Sequence, residues 1–142
     1  MRRPENDNQD PPIPPGLSKW LLASLAAVAV IVVAKLAPFN FSTGAGPLFG
    51  YEARHPAVVL GQVALFLPLG LCEAQVVRRM LPGMFTLGLA VTAMDAVVLS
   101  LAGETAQHWL PGRTSAAIDV PANALGAIAG HLFSLRALGS SG

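Results

Sequence analysis

Between Gly103 and Gly130, in the stretch GETAQHWLPGRTSAAIDVPANALGAIAG, five residues able to do chemistry stand close together: Glu104, Gln107, Arg113, Asp119 and Asn123. Two carboxylates, two amides and a guanidinium can build charge-assisted hydrogen bonds, clamp an anion in bidentate fashion, or move protons. Their setting makes the grouping informative. Only 12% of the 142 residues are charged and 53% are hydrophobic, against about 25% charged in a soluble domain. In apolar surroundings such groups are costly unless paired or turned toward a cavity.

Three readings fit the group. In a structural network, Arg113 is held between the carboxylates of Glu104 and Asp119 and pins the loop to the bundle. In a ligand site, Arg113 flanked by amides holds a phosphate or carboxylate of a lipid head group or a lipid-linked envelope precursor, and the two acids favour a zwitterionic or amine-bearing head group. In an enzyme, Glu104 and Asp119 serve as general acid and base while Arg113 stabilises developing charge. No nucleophilic Ser or Cys stands beside a positioned His, which counts against the third reading. No residue is therefore assigned a catalytic role.

The elements that must position these residues are apolar helices. A membrane-crossing helix needs about 20 mostly apolar residues, and four segments meet or approach this: 20–37, 56–77, 81–103 and 116–135. The expected fold is all-α, an integral membrane four-helix bundle over 19–138. Mean hydropathy of +0.55 agrees. The polar, proline-rich residues 1–18 read as a disordered tail, and 139–142 as a flexible C-terminus. Lys35 closes the first span, where its long side chain is expected to reach the interface. Arg2, Arg3, Lys19, Arg78, Arg79 and Arg136 fall on one side of the expected bundle; Lys35, Arg54 and Arg113 fall on the other. Positive charge accumulates on cytoplasmic loops, so both termini are expected inside and the loop bearing Arg113 outside.

Two helical stripes aim polar groups at that outer end. Asp119, Asn123, Gly126 and Gly130 recur at i, i+4, i+7 and i+11 on the fourth span, and Gln62, Phe66, Gly70 and Glu73 at i, i+4, i+8 and i+11 on the second. The GxxxG pair Gly126/Gly130 permits close helix approach, while Pro68 is expected to kink the second span and free a carbonyl. Thr114 or Ser115 is expected to cap the fourth span, and Pro121 restricts its start to Ser115–Asp119. Asp95, mid-way along the third span, lies nine residues and about 900° from Glu104, on the opposite face. It reads as an intramembrane acid outside the network, protonated and hydrogen-bonded to another helix. The single Cys72 forms no intrachain disulfide. No cofactor or metal is expected, since no phosphate loop or zinc-like Cys/His spacing occurs, and a net charge of +1 gives no nucleic-acid footprint.

The pattern Glu104-x-x-Gln107, Pro111-x-Arg113, Asp119-x-x-x-Asn123-x-x-Gly126-x-x-x-Gly130, with LFLPLG at Leu65–Gly70 upstream, resembles the VanZ-like membrane family over about Val58 to Leu135. Gln62 stands where that motif usually carries Asn, an amide for an amide. Asp95 is not part of the pattern. The resemblance implies a small multi-pass protein of the bacterial cytoplasmic membrane, from a family whose founding member is linked to low-level teicoplanin resistance. Expected partners are membrane lipid or a lipid-linked envelope precursor. A purely structural or assembly role, as a homo-oligomer or within a larger membrane complex, remains the alternative.

Overall fold

The computed structural model describes residues 13–43, 48, 50 and 54–139. Among these, four helices and no strand form: α1 Leu17–Leu36, α2 Pro56–Met80, α3 Phe85–Gln107 and α4 Asp119–Gly139. The expected all-α bundle is borne out. Helices α1, α2 and α3 are long and apolar enough to cross a membrane. Most of the expected N-terminal tail (1–12) and residues 140–142 lie outside the described residues.

Local chemistry accounts for the helix limits. Gly16, left-handed at φ 74°, turns the chain into α1, so the helix takes up Leu17 and Ser18 from the segment expected to be tail. Ala37 is extended because Pro38 follows it, which ends α1. At the start of α2, Pro56 needs no N–H partner, and the His55 ring accepts from the Ala57 N–H at 3.3 Å. Pro82-Gly83 makes the turn to α3, with Gly83 at φ 83°. That turn moves α3 four residues beyond the expected 81–103 and carries Glu104 and Gln107 into its last turn. Pro121 sits in the first turn of α4, where no helical hydrogen bond is lost.

Helices α2 and α4 form the closest pair. A Cβ at Gly70 would overlap the backbone carbonyl of Ala127, one at Gly126 the carbonyl of Val63, and one at Gly130 the carbonyl of Leu67. Small residues thus let two backbones touch, as packing in lipid requires. Pro68, where a kink was expected, is exposed, and α2 continues helical through it to Met80. Ile31, Phe66, Leu69, Ala96 and Ala127 join all four helices in one small core. α1 lies outermost, burying only Ile31 and Lys35.

The order is antiparallel. Contacts from Lys35 to Glu104 and from Gln62 to Asp119 bring the C-terminal ends of α1 and α3 beside the N-terminal ends of α2 and α4. At the opposite end Gln75 bonds Ser134 at 2.5 Å, and the Arg79 guanidinium stands 5.7 Å over the Trp20 ring.

Candidate functional site

All four helices deliver polar side chains to the end where α1 and α3 finish. On α3 the buried face reads Gly88, Thr92, Ala96, Ser100, Glu104, Gln107. Its spacing is mostly four residues, close to one face of a helix, and its residues are small or polar. Glu104 is fully buried, and its Oε1 accepts from Lys35 Nζ at 2.6 Å. Its other oxygen accepts the backbone N–H of Ala116 at 2.9 Å. Gln107 donates to the Lys35 carbonyl at 3.1 Å, satisfying an acceptor left over at the end of α1.

Lys35 therefore does not reach out to the interface as the sequence suggested. It folds inward past Gly103, where a Cβ would come 2.8 Å from the lysine stem. Arg113 is correspondingly not held between carboxylates. It is exposed and donates to the Ala37 carbonyl at 3.0 Å and the Ala34 carbonyl at 3.4 Å. The reason is electrostatic on both counts: Lys35 already neutralises Glu104, and the unpaired carbonyls ending α1 attract a guanidinium.

A second set surrounds Asp119. Gln62 Nε2 donates to Asp119 Oδ2 at 3.4 Å, and Arg54 Nη2 lies 3.7 Å from the same oxygen. Arg54 also donates to the Thr114 carbonyl at 2.5 Å. One turn along α4, Asn123 Nδ2 donates to Ser100 Oγ at 2.7 Å. Ser115, buried in the loop, makes no cap to α4 and no other side-chain hydrogen bond among the described residues. His108 packs edge-on against Trp109 beside this end, with centroids 5.2 Å apart.

The structure thus brings Glu104 and Gln107 together with Lys35, and Gln62 and Asp119 together with Arg54. Asn123 meets Ser100, and Arg113 stays on the rim. The sequence reading gave Lys35, Arg54 and Ser115 other roles and did not single out Ser100. A signal existed for two of them. Ser100 lies four residues before Glu104 on one face, and a lysine closing an apolar span needs an acid at its own depth.

Asp95 stays apart, as its helical angle required. It is exposed and makes no hydrogen bond to another helix among the described residues, contrary to expectation. It shares with Glu73 an open groove of about 300 Å³ between α1, α2 and α3. A further polar pair, Thr92 and His131 at 2.9 Å, lies toward the opposite end of the bundle.

A family model described as VanZ/LLP1 matches residues 18–138. No curated protein matches the chain, and no solved structure does.

Proposed function

The chain belongs to the VanZ/LLP1 family, and from that premise we propose that it is a multi-pass protein of the bacterial cytoplasmic membrane whose polar end recognises a lipid head group or another envelope component. A contribution to glycopeptide or envelope-stress tolerance follows from the family resemblance and is part of the proposal. One observation carries the binding role: the polar end is built in two halves that differ in how well they are satisfied. Around Glu104 both carboxylate oxygens are satisfied, one by the Lys35 ammonium and the other by the Ala116 N–H, and Gln107 ties down the Lys35 carbonyl to complete the clamp. Around Asp119, polar atoms are enclosed yet left without partners among the described residues, beside Arg54, while Arg113 stands at the end of α1.

A structural reading is favoured for the first half only. A buried ion pair whose two carboxylate oxygens both have partners fixes the register of α1 against α3. The second half is where head-group phosphate would meet guanidinium, a charge-assisted contact. Both arginines belong to connections rather than helix interiors, so they stand at the level where head groups lie.

Lipid mass spectrometry of the purified protein tests this, comparing wild type with Arg54→Ala and Arg113→Ala alongside thermal melts. One head-group class is expected to be enriched in wild type and depleted in the Arg54 variant, with the melting temperature kept to within a few degrees. Identical lipid profiles in all three proteins would remove the binding role and leave the clamp alone.

A further inference from the structure

We infer that the Asp119 half of the polar end takes a primary ammonium paired with an oxyanion, the chemistry of a phosphoethanolamine head group. The inference rests on the head-group reading above and narrows it to one class. Its ground is a census of donors and acceptors. Among the described residues, nine buried side-chain polar atoms lack a hydrogen-bond partner; four are on the residues grouped around Asp119, namely Arg54 Nε, Gln62 Oε1, Asp119 Oδ1 and Asn123 Oδ1, and a fifth, Ser115 Oγ, lies in the loop leading into α4. Buried polar groups are ordinarily satisfied, so a cluster of exceptions calls for something that satisfies it.

The five atoms are chemically lopsided. Four are oxygens, one of them on a carboxylate, and the fifth is a guanidinium N–H. Gln62 must turn its oxygen away from Asp119, because its NH₂ donates to Asp119 Oδ2. Asn123 spends its NH₂ on Ser100, leaving its oxygen free to accept. An ammonium offers three N–H donors and a positive charge, enough for three of the acceptors on Asp119, Asn123, Gln62 and Ser115, the Asp119 carboxylate first among them. Asn123, Asp119 and Ser115 are only 0%, 2% and 3% exposed, so the group entering among them must be small. A –NH₃⁺ suits that confinement, whereas a trimethylammonium has no N–H to give and is larger. Arg54, 22% exposed at the rim, keeps its Nε–H for the oxyanion of the same molecule.

Two sources carry this chemistry: the head group of a phospholipid, and a free water-soluble zwitterion. The test uses the full chain in nanodiscs of phosphatidylcholine, into which phosphatidylethanolamine or phosphatidylglycerol is introduced, and reads thermal melting. Glycerophosphoethanolamine added to phosphatidylcholine discs forms a separate arm. Phosphatidylethanolamine is expected to raise Tm by about 9 °C at a hundredfold excess over Kd, with phosphatidylglycerol giving no comparable rise. Ser115→Ala removes an oxygen that has no partner, so it is expected to leave Tm in pure phosphatidylcholine unchanged while weakening the rise at least tenfold in lipid concentration. Asp119→Asn, which keeps the shape and removes the charge, should abolish it. A rise with glycerophosphoethanolamine also supports the inference and assigns the soluble source.

Equal rises with phosphatidylglycerol and phosphatidylethanolamine would overturn the ammonium while leaving head-group recognition standing. A Ser115→Ala protein with an undiminished rise would also overturn it. No rise with any lipid or with the free head group would overturn both readings.

Discussion

Glu104 and Lys35 show how a charged pair persists inside an apolar bundle. The two side chains are 3% and 0% exposed and meet at 2.6 Å. Removing one partner leaves the other charge buried, which costs about 3–5 kcal/mol. Glu104→Gln alone, or Lys35→Met alone, is therefore expected to lower stability by that amount in a reversible detergent melt. The double variant removes both charges and keeps a Gln carbonyl to accept from the Ala116 N–H, so it should recover most of the loss. A double variant no more stable than the singles would show that the pair is not the source of the cost. Arg113 behaves differently despite its place in the family pattern. Exposed on helix-end carbonyls, it contributes at most about 1 kcal/mol, so Arg113→Ala should melt close to wild type.

At the scale of elements, the α2–α4 crossing sets the geometry of everything above it. Its glycines hold the two backbones in contact, which places Gln62 over Asp119. Gly130→Ala forces a methyl group into the Leu67 carbonyl and should cost about 1–3 kcal/mol. Gly61→Ala lies on the same pair of helices but meets nothing within 4 Å, so it should be neutral or gain about 0.5–1 kcal/mol from helix propensity. Parallel melts decide the matter: equal effects from both changes would mean that close approach is not what the glycines provide. The Asp95–Glu73 groove lies away from this crossing, and neither the clamp nor the unpaired cluster reaches it.

For the molecule as a whole, the antiparallel order predicts which connections share a side of the membrane. Ser42 and Thr114 belong to the polar end, where Ser42 N–H reaches the Trp109 carbonyl at 2.8 Å, and Met84 belongs to the other. In a Cys72→Ala background, Ser42→Cys and Thr114→Cys should react with an impermeant thiol reagent from one face of sealed vesicles. Met84→Cys should react only from the opposite face. Labelling of all three from one face would refute the spanning arrangement. Much of this architecture was legible in the chain. Long apolar runs admit only helices in lipid, proline and glycine marked the turns, and small residues at a four-residue repeat marked the crossing. The grouping of acids and amides at one end was legible too, because helical angles are set by residue number alone. What the chain did not reveal is who pairs with whom. Lys35 and Glu104 are 69 residues apart, and Arg113 is far nearer to Glu104 along the chain. Only packing, with α1 lying beside Gly103 and the loop turning Arg113 onto the end of α1, decided that the distant lysine takes the acid and that, among the described residues, the Asp119 cluster is left with oxygens unpaired.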